Sequence, residues 1–417
     1  MNSLFHYCQG ESHKSTEKPC QDFAYAESSE ELSMAIVSDG HGGERYFRSQ
    51  YGSEMAVTVT KEAIRVFVEN MEQSSFTPKG ARSVFDNAPF SSYSAAISTE
   101  EQVRTSAHKA LMWLFSHIIT QWNLAIAKHA RENDLSDWEN EHVEQKYKDE
   151  FLTMRETEDA SFEKTYGCTL MAYVQTPCYW FAFHLGDGKC VSMRIFDGQL
   201  VCEQPIPWDD RCFLNKTTSL CDSDALEEFR YCYQGDGEFP RAMFLGSDGI
   251  DDSYGDGEIL NNFYIQLFKI IIRKGNEVAK KTLIEDLPEI SRRGSKDDMS
   301  VACVYDDSAL KAMYQYLNEY QQKVLEQELA VKMEKKQNLE QKIEDFGNPE
   351  KLDKPQLINL EYARKDLAKS EEQIVRLKKR RAILKREMTI FNKQMQMELT
   401  AEEETQDEIS LPSEEIG

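Results

Sequence analysis

Carboxylates stand repeatedly at the ends of short apolar runs in this chain. Met34-Ala35-Ile36-Val37-Ser38 ends in Asp39-Gly40-His41-Gly42-Gly43. Phe183-His184-Leu185-Gly186 ends in Asp187-Gly188, and Phe244-Leu245-Gly246-Ser247 in Asp248-Gly249. A fourth acidic point, Asp297-Asp298, precedes the strand-like Met299 to Val304. Asp-Gly is also a common turn, and Asp187-Gly188 suits a hairpin turn as well as a site. Repetition in one context argues for a single cluster in space. Apposed carboxylates repel unless cations neutralise them. Hard oxygen donors without cysteine partners favour Mg²⁺ or Mn²⁺. A pair of such ions activates a water and clamps a phosphoryl group. Asp39 and the Gly40 carbonyl suit a bridging position, Asp248 and Asp297 complete one ion, and His41 is placed to protonate a leaving oxygen.

The elements that must position these residues come in two textures. Residues 1–305 mix strands, helices and glycine turns. Early strands are expected at 5–8, 22–26 and 34–38, and a helix after Gly43. The stretch 74–99 reads as loop. Residues 100–131 carry helical periodicity, and 132–163 read as a charged insertion or extended helix. Residues 169–174 and 179–185 form a hairpin, as do 191–196 and 199–202 about Asp197-Gly198. Residues 203–240 read as an irregular excursion. A strand at 243–246, helices at 259–272 and 278–287 and a strand at 299–304 close the region. This pattern predicts an α+β fold of packed sheets with helices outside. Residues 306–404 read as two helices with apolar heptads, broken near Gly347-Asn348-Pro349: an antiparallel coiled-coil hairpin. Residues 405–417 read as an acidic, disordered tail.

Composition narrows the classes. The chain has 417 residues and a formal net charge of −24, which disfavours nucleic acid and anionic membranes as partners. The basic run Arg376 to Arg381 reads as a solvated helix face. No window of about 20 apolar residues exists, so no membrane span is expected. The ten cysteines contain no Cys-x-x-Cys pair, and the N-terminus lacks a secretory pattern, so reduced thiols in a cytoplasmic protein are expected.

The ordered blocks resemble the metal-dependent protein phosphatases, the PPM or type 2C class, in its bacterial-type branch. They are Cys20-Gln21-Asp22-Phe23-Ala24, Asp39-Gly40-His41-Gly42-Gly43, Gly167-Cys168-Thr169-Leu170, Leu185-Gly186-Asp187-Gly188, Ser247 to Asp252, and Lys296 to Val301. The resemblance covers residues 3–305. It implies two packed antiparallel sheets flanked by helices, with a metal cleft at one end. It further implies Asp39 as the bridge between two Mn²⁺ or Mg²⁺ ions, the Gly40 carbonyl on the second, Asp248 and Asp297 on the first, and Asp22 acting through metal-bound waters. Asp187 and Asp252 match the ligands of a third, weaker ion, His41 the general acid, and 203–240 the flap.

The implied activity is hydrolysis of phosphoserine and phosphothreonine in a phosphoprotein, opposite a Ser/Thr kinase partner. The competing reading is a pseudophosphatase scaffold whose coiled coil binds proteins or makes a homo-oligomer. Three departures matter. Gln21 stands where the family often has an acid. Glu17 stands where some members carry a phosphate-binding arginine, with Lys14 and Lys18 nearby. Asp298 replaces a more usual asparagine, which adds charge beside Asp297.

Overall fold

Several strands of this chain are almost wholly apolar because both of their faces are covered. In the computed structural model β3 (Ser33–Ser38), β6 (Trp180–Leu185), β10 (Ala242–Gly246) and β11 (Met299–Tyr305) are buried at every position. The structure describes residues 1–77, 79–82, 106–209, 212, 217–255 and 257–409, with side chains as far as 394. The other strands are β1 (Asn2–Cys8), β2 (Phe23–Ser28), β4 (Gly80–Arg82), β5 (Leu170–Gln175), β7 (Lys189–Phe196), β8 (Gln199–Glu203) and β9 (Arg230–Gln234). The helices are α1 (Glu11–Lys14), α2 (Ser49–Asn70), α3 (Ser106–Glu132), α4 (Asp137–His142), α5 (Gln145–Glu156), α6 (Ala225–Glu228), α7 (Asp248–Tyr254), α8 (Gly257–Lys274), α9 (Asn276–Arg293), α10 (Asp307–Asp345) and α11 (Lys354–Ile409).

The strands make two sheets, β1-β11-β10-β7-β8 and β2-β3-β5-β6-β9-β4. Alternation along each strand divides its side chains between two cores. Ala35 and Val37 of β3, Met171 and Tyr173 of β5, Met243 and Leu245 of β10, and Ala302 and Val304 of β11 fill the space between the sheets. The intervening Met34 and Ile36 face the other way, into a core with Ile64 and Phe67 of α2 and Leu111 and Ile118 of α3. On the opposite sheet Phe244 stacks on Tyr264 and packs at a tilt against Phe268 of α8, with ring centroids 4.3 and 4.4 Å away. The result is a four-layer α-β-β-α sandwich, as expected. The 191–202 hairpin turns through Asp197 and Gly198, both at positive φ, which matches the twist of its strands.

Three expectations need correction. Residues 80–82, read as loop, form β4 beside β9; residues 83–99 lie outside the described residues. The excursion 203–240 contains β9, which lies between β6 and β4 in its sheet. The charged stretch 132–163 folds as two short helices, α4 and α5, rather than one extension of α3.

The chain divides into two compact units, Met1–Ala312 and Met313–Gly417. In the second, α10 and α11 pair within one chain. Leu325 and Leu329 cluster with Ile374, Leu377 and Leu384, Tyr314 stacks on Phe391 at 3.8 Å, and Lys336 Nζ lies 2.8 Å from Glu371. These contacts engage several heptad positions inside the hairpin, while Val331 of α10 stays 62% exposed. The α11 backbone is helical through residues 405–409, where no structure was expected; residues 410–417 lie outside the described residues. Among the described residues no helix is long and apolar enough to cross a membrane. All ten cysteines are free thiols.

Candidate active site

The sequence repeats that end in aspartate converge on one cleft of about 560 Å³ at an end of the sandwich. Asp39, Gly40, His41, Asp187, Asp248, Asp252 and Asp297 all line it. Asp22 does not; it is buried behind the wall, 2% exposed.

Asp39 emerges where β3 leaves its sheet. Its N–H donates to Thr169 Oγ1 at 3.0 Å, and its carbonyl accepts from the Thr169 N–H at 2.8 Å. Gly40 pairs with Cys168 as an isolated bridge. A Cβ on Gly40 would lie 2.7 Å from the Gln21 carbonyl and 2.8 Å from that of Ser49, so the crossing admits only glycine. Asp248 opens α7, where the helix dipole favours a carboxylate. Gly249 then packs on the strand entry: a Cβ there would lie 2.0 Å from the Asp298 carbonyl. Asp187 sits in the β6–β7 turn, with the Gly186 N–H donating to Thr218 Oγ1 at 2.9 Å.

These carboxyls form one electrostatic set. Burial, and then Asp298, hold Asp22 well above the usual carboxylate range. Burial, followed by the charges of Asp22 and Asp248, does the same to Asp39. Asp248 is pushed up to about 7, by burial first and then by Asp187, Asp297 and Asp252, against an opposing hydrogen bond from Asp39. Burial also raises Asp187, with Asp252 adding to it. Oε1 of Gln21 is buried without a hydrogen-bond partner, and the Ser247 and Ser300 hydroxyls beside Asp22 only partly offset its burial. The site is thus short of positive charge and of donors, and this oxygen-only set fits hard divalent cations. Among the described residues no three His, Cys, Asp or Glu side chains are already drawn into a metal cage.

His41 donates its N–H to the Gly167 carbonyl at 3.0 Å, and its ring meets Tyr46 edge-on at 4.8 Å. Burial lowers its pKa to about 4, Asp222 opposing and Lys164 reinforcing the shift. Burial thus favours the neutral imidazole.

Gln21 and Asp298 depart from expectation in an informative way. Gln21 Nε2 donates to the His41 carbonyl at 3.2 Å and to Ser49 Oγ, so it braces the loop that carries His41. The Asp298 carboxylate accepts from the Gly10 N–H at 2.6 Å and the Gln21 N–H at 2.5 Å, and His13 Nδ1 lies 2.9 Å away. Its charge is engaged in stapling the N-terminal segment to β11, rather than added freely beside Asp297.

Sequence reasoning missed Tyr46, Thr217, Ser219 and Asp222 on the cleft wall. The last three come from the irregular excursion, where no local pattern marks them. Among cations near the cleft, Lys164 pairs with Asp222 at 2.9 Å and Lys189 with Asp251 at 3.3 Å. Lys18 instead donates to the Gly42 carbonyl at 2.7 Å and feels the charges of Asp298, Asp297 and Asp39 against a burial that lowers its pKa. Glu17, in the left-handed region at φ 54, is exposed, and Lys18 after it is half-buried. Lys14 lies 3.8 Å from Glu11.

No curated protein matches the chain. Similar solved structures include a bacterial serine phosphatase (15% identity, 73% of this chain and 99% of that one, TM-score 0.40). Two others are the serine/threonine phosphatase Stp1 from Staphylococcus aureus (15%, 73% and 94%, 0.38) and the catalytic domain of the serine threonine protein phosphatase PstP in complex with two manganese ions (15%, 73% and 98%, 0.38). The family model described as protein phosphatase 2C matches residues 9–287, more than half of the sequence. On that match the chain belongs to the protein phosphatase 2C family.

Proposed function

We propose that this chain hydrolyses phosphoserine and phosphothreonine in protein substrates at the carboxylate cleft, with two Mn²⁺ or Mg²⁺ ions and a third, weaker one. The observation that carries the reading is the buried, mutually repelling set of Asp22, Asp39 and Asp248 at and behind the cleft wall. Asp39 would be shared by the main pair, the Gly40 carbonyl would hold the second ion and Asp248 with Asp297 the first, Asp22 would act through water, and Asp187 with Asp252 would hold the third. When bound, the ions supply an activated water and offset the charge that develops on phosphorus. Lys18 supplies the remaining positive charge at the cleft rim and binds a phosphoryl oxygen with the N–H groups that Gly42 leaves free. His41, fixed by Gly167, Tyr46 and Gln21, passes a proton to the leaving serine or threonine oxygen once the phosphate dianion in the cleft offsets the burial that keeps the imidazole neutral. A protein kinase acting on the same substrates is the partner such an activity answers to, and the reduced thiols suit a cytoplasmic setting.

The test is phosphate release from a phosphoserine peptide with Mn²⁺, alongside calorimetry of Mn²⁺ binding. Wild type should show both, and Asp39→Asn should lose both by at least about 100-fold. Turnover that survives chelation, or equals that of the variant, overturns the reading.

A further inference from the structure

The inward face of α11 is spent on α10, but the helix carries a second regular stripe. Positions 358, 362, 365, 369, 372, 376, 379, 383, 386, 390 and 393 are spaced alternately by four and three residues, the spacing that keeps one seam along a helix. None of them coincides with Leu360, Ala363, Ser370, Ile374, Leu377 or Leu384, the buried side chains among the described residues of this helix. Four are apolar and open to solvent: Ile358 at 45%, Tyr362 at 65%, Ile383 at 57% and Ile390 at 38% exposure. Six are basic: Lys365, Lys369, Arg376, Lys379, Arg386 and Lys393. The remaining one is Glu372, which pairs with Arg376 at 2.5 Å. Among the described residues the other five cations make no ion pair, although the chain as a whole carries a net charge of −24.

The geometry points to this seam as the docking face for an acidic amphipathic helix of a partner protein. Its four-three spacing accepts side chains from a second helix, and its apolar residues provide anchors. Its charge selects against other occupants. A second copy of the same seam would set lysines and arginines against one another, a costly juxtaposition. A bilayer needs a broad apolar face, whereas here cations separate single apolar residues. Nucleic acid has no use for exposed isoleucines at helical spacing. A helix with glutamates opposite the cations and leucines opposite the isoleucines satisfies both parts of the pattern. The inference is independent of the chemistry in the cleft.

Fluorescence anisotropy of the full chain with a labelled synthetic acidic helix, leucines at four-three spacing and glutamates flanking them, tests it. Binding should be seen and should weaken steeply as salt screens the charges. Lys379→Glu with Arg386→Glu, and separately Ile383→Ser with Ile390→Ser, should each weaken it by roughly tenfold or more. All four side chains are exposed, and circular dichroism checks that helix content is kept. Equal binding of a scrambled peptide of the same composition overturns the proposal. So does retention of binding in both double variants, or preferential binding to phosphatidylserine vesicles or duplex RNA.

Discussion

Glu139 holds together parts of the first unit that lie far apart in sequence, and its removal is a sharp test of how the His41 loop is supported. Its Oε1 accepts from Arg48 Nε at 2.7 Å and its Oε2 from Arg48 Nη2 at 3.0 Å. Oε2 also accepts from the Ser136 N–H at 2.7 Å, closing a capping box on α4. Arg48, 1% exposed and at the start of α2, further donates to the Asn133 and Asp134 carbonyls and to the Tyr166 hydroxyl. Tyr166 precedes Gly167, the residue that fixes His41. Glu139→Ala strands a buried guanidinium, a loss of about 3–5 kcal/mol, and removes half of a capping box worth up to about 1 kcal/mol more. The two carbonyls and the phenol left on Arg48 place the expected loss near the lower end, about 3 kcal/mol. Urea denaturation should show it as a shifted midpoint at unchanged slope. Arg48→Met with Glu139→Leu should recover most of the loss, since a matched apolar pair carries no stranded charge. A loss under about 1 kcal/mol for Glu139→Ala, or a double variant as unstable as the two single changes summed, refutes the reasoning.

Lys18→Ala should raise KM for a phosphopeptide about tenfold or more, the worth of one charge-assisted hydrogen bond, with a smaller change in kcat, while Lys14→Ala changes neither. Equal effects of the two in steady-state kinetics would remove Lys18 from the phosphate site. Burial, then Arg230 and Lys189, hold His184 well below its usual pKa. The folded state keeps it neutral while the unfolded chain takes up a proton below about pH 6.5, so its contribution to stability is full above that pH and falls on acidification. Urea midpoints at pH 7.5 and 5.5 should therefore differ less in His184→Gln than in wild type; identical differences refute the assignment.

Much of this was legible in the sequence where the cause is local. Strands β3, β5, β6, β10 and β11 read plainly because burial on both faces leaves continuous apolar runs. Asp39, Asp187, Asp248 and Asp297 read plainly as one set because each stands on an Asp-Gly turn or a strand entry, and all four line the cleft. β9 did not, because Arg-Tyr-Cys-Tyr-Gln looks like a solvated segment. Its Arg230 is buried through the Gly186 and Pro207 carbonyls and His184, partners that only tertiary structure supplies. Asp298 misled for the same reason: the amides it accepts from lie 288 and 277 residues away. The place of Lys18 follows a positive φ at Glu17, which no glycine announces.

The pairing of β1 with β11, from Asn2 opposite Tyr305 to Cys8 opposite Met299, has a consequence for how the protein is made. β11 lies between β1 and β10, so the first strand synthesised waits for the last one of its sheet. Until then two strand edges stand open, in an arrangement of high contact order that closes slowly. Asp297 and Asp298 enter immediately before β11. The carboxylate cleft and the sheet are therefore completed by the same few residues, and a nascent chain stopped short of them carries neither a finished fold nor the full set of cleft carboxylates.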